Sequence, residues 1–379
     1  MLYIYILSIL IILSIIQMFT KRNFKWIFLI SSLLLMLLSA IRYGSGTDYF
    51  SYNYHYNIIP DNIAELADVS GQEIGYKLLM FLTKKLGINY SGFIIIISIF
   101  TMSIFTKYII KNSNYKMLSL LMFYCVYYHI YVNSGLRQGI ALAIFFLGFY
   151  KYFKKNKTKK YVLTIVIASL FHRSVLITLL IPIIKVMYNK YFKNITFNIV
   201  IIFIAISSFL LGGEKIIVLV AEMVGFNIAY SAVGANLMAI ALRIVMVVAM
   251  YMLYKGVNKN MLSEFDKIEI YIFFIGMMIF IGVSNMPTLS RMIEYFGILE
   301  VIIIPNLIYK ISEKNKLYKI VFTIFAILVS STIFIKDLNS FLVEGRYYQK
   351  DIFKYPYVTI FNKDEIYLYR ESSRVQIID

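Results

Sequence analysis

The chain has few charged residues and few of the side chains that usually bind metals. Only 15% of its 379 residues are charged, and it contains one cysteine and three histidines. A single cysteine, Cys125, excludes a disulfide framework and a thiolate metal cluster, and three histidines are too few for a histidine-rich metal site. We therefore expect the protein to work without a metal or any other cofactor.

The sequence also lacks the glycine-rich motifs that bind nucleotides. It contains no Walker A motif, which excludes ATP-driven transport by this chain, and no dinucleotide fingerprint. A nucleophile elbow of the G-x-S-x-G type and an H-E-x-x-H zinc motif are absent as well. Nucleotide-sugar enzymes, serine hydrolases and zinc proteases of the common kinds are thereby excluded.

Apolar residues dominate the composition instead. They make up 60% of the sequence, and the mean hydropathy is +0.75. A soluble domain could not bury so much apolar surface, and many of the apolar runs approach the roughly 20 residues that cross a bilayer as a helix. The predicted spans are 2–19, 24–41, 92–110, 117–132, 136–150, 161–186, 195–211, 237–254, 268–283, 291–309 and 317–335. The pattern predicts an all-α, polytopic membrane protein of about 11–13 membrane segments, with residues 1–379 forming one integral membrane domain.

The formal net charge of +18 reflects membrane topology rather than nucleic-acid binding. Lysine and arginine cluster in short connections between apolar runs, where the positive-inside rule places them on the cytoplasmic side. This assignment puts the connection 42–73, the loop 212–236 and the tail 336–379 outside. The segment 74–87 is short and amphipathic, so we expect an interfacial helix.

The segment 161–186 begins and ends beside lysine clusters, and its topology stays open. It is either a hairpin broken near the sequence FHRS at 171–174 or a single span, with 214–232 then crossing as well. The lysines favour the hairpin.

Arginines near the inferred outer ends of three spans are the first candidates for a binding site. Arg42 ends the second span, Arg137 opens the fifth, and Arg291 opens the span at 291–309. An arginine binds phosphate through two parallel hydrogen bonds and stays charged. The alternative is that each arginine only extends its side chain to lipid headgroups. Polar groups accompany two of them, namely Gln138, Glu294 and Tyr295, and Glu294 lies where it can neutralise Arg291.

Two further residues qualify as a general base. Asp48 follows Arg42 in the external connection, and His172 stands beside Arg173 in the middle of 161–186. Ionisable residues at membrane depth are costly and therefore point to function. The alternative to a functional role is a solvated loop aspartate for Asp48, and for His172 a histidine that hydrogen-bonds a neighbouring carbonyl. The tyrosines after Asp48, starting with Tyr49, either stack on sugar rings or mark the headgroup region.

Four short motifs in chain order carry a family resemblance. They are RYGSGTDY from Arg42, SGLRQG around Arg137, FHRS around His172 and LSRMIEYFG around Arg291; the tail sequence YPYVTIF is a weaker match. Together they resemble the EpsG family of bacterial polysaccharide polymerases, a branch of the Wzy-like group. The resemblance extends over about residues 30–310.

The resemblance implies a glycosyltransferase with GT-C-like architecture in the bacterial cytoplasmic membrane, with its active site facing outside. Its donor and acceptor would be oligosaccharide repeat units carried on undecaprenyl diphosphate. On this interpretation Arg42, Arg137, Arg173 and Arg291 bind the diphosphate, while His172 or Asp48 acts as base. Membrane lipids, a flippase and a chain-length regulator are the expected partners, and nucleic acid is not.

Two other functions remain open from the sequence. The chain could be a flippase for the lipid-linked unit, since a helix broken at FHRS suits a transporter. It could instead be a membrane acyltransferase that modifies the glycan. Deletion phenotypes separate the three functions. Single units accumulate outside without a polymerase and inside without a flippase, whereas loss of an acyltransferase keeps polymer length and removes acyl groups.

Overall fold

The computed structural model describes residues 1–20, 23–69, 71–191, 201–202, 237–283, 287–311, 315–344 and 351–369. The predicted loop 212–236 and most of the predicted span 195–211 lie outside these residues. The chain divides into two compact units. The first comprises Met1–Val175 and Thr323–Asp379, and the second comprises Leu176–Phe322. Hydropathy had given no sign of this division.

The first unit is built from helices that follow one another along the chain. They are α1 (Leu2–Thr20), α2 (Lys25–Ala40), α3 (Tyr49–Asn57), α4 (Ile74–Lys85), α5 (Tyr90–Asn112), α6 (Lys116–Phe123), α7 (Leu136–Lys151) and α8 (Thr158–Ser169). Helix α5 packs against both α2 and α7, while α1 packs against α6 and α8 against α7. Helix α7 is thus the centre of this unit, and most of its side chains are buried.

The second unit contains a separate group of helices. They are α9 (Leu180–Tyr191), α10 (Leu237–Gly256), α11 (Glu264–Val283), α12 (Pro287–Gly297) and α13 (Glu300–Lys310). Helix α11 contacts each of the other four. Helix α14 (Lys316–Glu344) begins in this unit and continues into the first, and the short helix α15 (Ile366–Tyr369) belongs to the first unit.

The described residues form helices and no strand, as the apolar runs predict. A helix satisfies its backbone hydrogen bonds internally, which makes it the stable form for an apolar segment in lipid. Five helical stretches are long and apolar enough to cross a membrane: Leu2–Thr20, Tyr90–Asn112, Arg173–Tyr191, Arg291–Lys310 and Lys316–Glu344. The protein is therefore an all-α polytopic membrane protein.

The predicted span 117–132 is not one regular helix. After α6 the chain continues as a π-helix over Tyr124–Ser134, with buried side chains along nearly all of its length. Gly139 is required where α7 meets this segment, because a Cβ at this position would lie 1.8 Å from the carbonyl oxygen of Tyr131. π-Helical turns occur frequently at functional sites.

Two predicted connections contain more structure than the sequence indicated. The connection 42–73 includes helix α3, while the segment 74–87 contains helix α4, where a helix was expected. Helix α14 continues to Glu344, so the beginning of the predicted tail is helical. The segment 161–186 is interrupted after Ser169, just before FHRS. Membrane sidedness, and the choice between hairpin and single span, stay predictions.

Candidate functional site

The first motif leaves α2 with an arginine that points into the protein. Arg42 is only 1% exposed. Its Nη1 donates to the Ser39 carbonyl and, at 3.2 Å each, to the Ser39 and Ser98 hydroxyls, while Nη2 donates to the Asn133 carbonyl at 3.1 Å. Neutral oxygens thus solvate this cation in place of a carboxylate. The π-helix supplies one of them, because Asn133 lies at its end.

This position differs from the one predicted for Arg42 as a diphosphate ligand. The guanidinium is enclosed and hydrogen-bonded to protein, so an anion would reach it only after those contacts open. The arginine instead joins the first motif to the residues just before the second motif. Its binding of a diphosphate stays a prediction, whereas its contacts here favour a positioning role.

The glycine-containing loop after Arg42 fits closely against the end of the π-helix. Gly46 has φ of +100°, and a Cβ there would lie 2.5 Å from the Asn133 carbonyl oxygen. Only glycine adopts this backbone conformation without strain. The next residue, Thr47, donates its backbone N–H to the Ser134 hydroxyl at 3.2 Å. The first motif is therefore attached directly to the start of SGLRQG.

The described part of the C-terminal tail also packs on the first motif. The N–H of Tyr43 donates to the Val358 carbonyl at 2.8 Å, and the N–H of Ile360 donates to the Ile41 carbonyl at 3.0 Å. The Tyr357 hydroxyl donates to the Leu38 carbonyl at 2.8 Å. The sequence YPYVTIF thus holds the backbone on both sides of Arg42.

Asp48 and Tyr49 occupy opposite environments although they are neighbours. Asp48 is exposed, and its carboxylate accepts a hydrogen bond from the Thr47 hydroxyl at 3.3 Å. Tyr49 is only 2% exposed, and its ring packs edge-on against Tyr43 and Tyr90. Asp48 is therefore placed to meet a solute, while the ring of Tyr49 is covered and contributes to packing. Its predicted stacking on a glycan would require that cover to move.

Arg137, in the first turn of α7, is partly exposed. Its Nη1 forms an ion pair with Glu73 at 2.7 Å and donates to the Gly71 carbonyl at 3.2 Å. Its Nε donates to the Tyr52 hydroxyl at 3.4 Å, and the guanidinium lies 5.9 Å from the centre of that ring. Burial raises the pKa of Tyr52 above its ordinary value, so the phenol stays neutral beside the cation. The next residue, Gln138, is buried at 8% exposure.

The third motif meets the second through the same glutamate. The backbone N–H of Arg173 donates to the other oxygen of Glu73 at 3.3 Å. In this turn His172 Nδ1 is hydrogen-bonded to the Ser174 hydroxyl, and His172 is half-buried. Three motifs that are far apart in sequence are thus joined by direct contacts within one unit. The side chain of Arg173 is exposed at the same place.

The fourth motif lies in the second unit. The Glu294 carboxylate accepts two hydrogen bonds from Arg243, at 2.7 and 2.9 Å, and these bonds join α10 to α12. Arg291 is exposed, and its neutralisation by Glu294 stays a prediction. Tyr295 is fully buried.

The sequence-based search for site residues missed Arg243. This arginine also approaches Glu300 at 3.6 Å, and Glu300 is fully buried. A signal was available, since Arg243 stands within the apolar run 237–254, where a charge is costly without a partner. Glu73 was missed for a different reason, as it looked like one of several acidic loop residues.

In the described ranges, no group of three or more histidine, cysteine, aspartate or glutamate side chains lies close enough together to hold a metal ion. The polar chemistry described above consists instead of cations, hydroxyls and carboxylates that hydrogen-bond one another.

Comparison with known proteins identifies the family. A model of the EpsG family matches residues 25–355. The chain belongs to the EpsG family. No curated protein and no solved structure matches the chain. The region matched by the EpsG model contains all four motifs, whereas most of the tail that packs on Arg42 lies beyond it.

Proposed function

We propose that this EpsG-family protein is a polysaccharide polymerase. It joins oligosaccharide repeat units carried on undecaprenyl diphosphate, at the outer face of the bacterial cytoplasmic membrane, and the product is a capsular polysaccharide or exopolysaccharide. Membership of the EpsG family suggests polymer formation. A lipid-linked donor suits a membrane-embedded chain without a nucleotide-binding motif, because it arrives already activated.

The arrangement of Arg137 is the observation that carries this proposal. Its side chain is 26% exposed and is fixed at Nε and Nη1, while the described residues offer no acceptor to Nη2. An arginine held in this way presents N–H groups to an anion in a fixed direction. Exposed Asp48 precedes α3, the same helix that supplies Tyr52 to Arg137. A cation and a carboxylate are thus both available beside the SGLRQG motif.

The proposed reaction is a direct displacement at the anomeric carbon of the growing chain. A hydroxyl oxygen of the incoming unit forms the new bond to that carbon, and the bond to the lipid diphosphate breaks. The diphosphate leaves with the electron pair, and Asp48 or His172 accepts the hydroxyl proton. Arg137, with Arg173, stabilises the negative charge on the leaving diphosphate. Diphosphate binding by Arg291, in the second unit, stays a prediction from the sequence. The proposed chemistry needs no metal and inverts the anomeric configuration.

The test compares lipid-linked glycans from a deletion strain that carries the wild-type gene or variants. We expect Arg137→Ala to abolish polymer, leaving single lipid-linked units outside, while the variant reaches the membrane in normal amounts. Loss of one such charge-stabilising group typically costs about 10²–10³-fold in rate. The matched control is Lys85→Ala, which removes another cation of the first unit, from an exposed ion pair with Asp61.

Three outcomes would overturn the proposed polymerase. Polymer of normal length in Arg137→Ala would remove the anion-binding role. Single units trapped on the cytoplasmic side of the deletion strain would identify a flippase. Polymer of normal length that lacks acyl groups in the deletion strain would identify an acyltransferase.

A further inference from the structure

One carboxylate connects two of the family motifs in the first unit. Glu73 precedes α4, and its side chain is 14% exposed. Oε2 accepts from Arg137 Nη1 at 2.7 Å, while Oε1 accepts from the backbone N–H of Arg173 at 3.3 Å. Each oxygen therefore serves a different motif, and the carboxylate spans the gap between SGLRQG and FHRS.

The backbone around Glu73 is fixed independently of its side chain. The Glu73 carbonyl accepts hydrogen bonds from the N–H groups of Tyr76 and Lys77, both at 3.1 Å, as α4 begins. The N–H of Gly75 donates to the Leu170 carbonyl at 2.8 Å. A Cβ at Gly75 would lie 2.7 Å from that oxygen, so the start of α4 is pressed against the chain just before FHRS. Glu73 consequently has a defined position from which to act on both motifs.

The contacts of Arg137 show what this position achieves. The Tyr52 hydroxyl accepts a hydrogen bond from Nε, and the Gly71 carbonyl and the Glu73 carboxylate each accept one from Nη1. All three bonds have a charged donor, but only Glu73 also offers a charged acceptor, at the shortest of the three distances, so its bond adds the attraction between two opposite charges. Glu73 thus contributes most to the direction in which the remaining Nη2 edge points.

We propose that Glu73 is a positioning residue that sets the relative placement of Arg137 and the His172–Arg173 turn. It does not touch the substrate. It holds the diphosphate-binding arginine in register with the turn that carries one of the two proposed bases. This inference rests on the proposed function for its bearing on catalysis, whereas the link between the motifs is independent of it.

The link itself is tested by hydrogen–deuterium exchange on the full-length protein in nanodiscs. We expect Glu73→Ala to speed exchange at the Arg173 amide by about tenfold, since removing the acceptor removes protection worth about 1–1.5 kcal/mol. The matched control is Asp61→Asn, which removes the charge of another acidic residue in the same connection, one that is 86% exposed. Unchanged exchange in Glu73→Ala would overturn the proposal whatever the enzyme's activity.

The catalytic consequence is tested with lipid-linked repeat units extracted from the deletion strain. Glu73→Gln keeps the side-chain shape and removes the charge. We expect kcat to fall by about 10–100-fold with KM changed far less, because a misaligned arginine stabilises the transition state poorly. Thermal unfolding of the variant should match wild type, which separates positioning from a folding defect.

A double-mutant cycle distinguishes positioning from an unrelated loss. Because Glu73 acts through Arg137, Glu73→Gln should cost little more once Arg137→Lys is present. Asp61→Asn and Arg137→Lys should combine additively. Wild-type kcat in Glu73→Gln, or full additivity with Arg137→Lys, would overturn the proposal. If the wild-type protein extends no repeat units, the proposed function fails, and the exchange result alone decides whether the link exists.

Discussion

Two arginine–glutamate pairs among the described residues have equal length but different surroundings. In the first unit Arg137 and Glu73 meet at 2.7 Å, and in the second unit Arg243 and Glu294 also meet at 2.7 Å. The Arg137 side chain is 26% exposed and that of Arg243 is 11% exposed. Arg243 binds both oxygens of Glu294 and lies near a second carboxylate, whereas Glu73 gives its second oxygen to a backbone N–H.

The difference shows that an ion-pair distance does not by itself indicate a role. Arg243 is surrounded by two carboxylates and lies 5.6 Å from the centre of the Phe280 ring. Arg137 has one carboxylate, and its Nη2 finds no acceptor among the described residues. We therefore interpret the first pair as an anion-binding group with its support, and the second as an internal connection between α10 and α12.

The largest expected effect comes from removing the buried arginine of the second unit. Arg243→Ala leaves Glu294 and Glu300 in place without their cation, and breaking a buried pair in this way costs about 3–5 kcal/mol. We expect poor yield and a strongly lowered unfolding temperature, measured by thermal melting of the detergent-solubilised protein.

Arg137→Ala is the companion measurement for Arg243→Ala. It should lose activity while melting close to the wild-type temperature, because its site is partly solvated. A stable but inactive Arg243→Ala protein would contradict the division of roles, and so would an Arg137→Ala protein that fails to fold.

A smaller effect is expected from Gly46→Ala in the first unit. The substitution places a Cβ 2.5 Å from the Asn133 carbonyl oxygen at a φ of +100°, so the loop must shift. Backbone strain of this kind costs about 1–3 kcal/mol. We expect reduced polymer length on gels of lipid-linked glycans, because the loop carries Asp48 and contacts the residues before Arg137. Polymer of wild-type length would show that polymerisation does not depend on the position of this loop.

The smallest effect is expected from Asp61→Asn. Asp61 and Lys85 form an exposed pair at 3.4 Å, and pairs of this kind contribute about 0–1 kcal/mol. Both thermal melting and polymer length should match wild type. A strong loss would mean that charge anywhere in the connection 42–73 matters, and would weaken the specific roles assigned to Glu73 and Arg137.

The sequence identified the charged residues of the first three motifs. Arg42, Asp48, Arg137, His172 and Arg173 stood out because charge is unusual beside apolar runs. The interpretation of Arg42 changed, because its guanidinium is buried and hydrogen-bonded to neutral oxygens of the protein. Hydropathy reports only where an apolar run ends, and it does not say whether the side chain there turns inward or outward.

The partners of these residues were not predictable in the same way. Glu73 is separated from Arg137 by 64 residues and Arg243 from Glu294 by 51, and Tyr357 reaches Leu38 across 319 residues. An acidic residue in a polar connection looks like many others until the fold places a cation beside it. The tail sequence likewise gave no sign that it would pack on the first motif.

The sequence alone determined that this is an all-α membrane protein, because long apolar segments must satisfy their backbone hydrogen bonds internally. Its motifs also determined the family. The tertiary structure decided which arginine is enclosed, which is presented, and which carboxylate supports it. Those properties depend on contacts between distant segments, and only packing brings such segments within hydrogen-bonding distance.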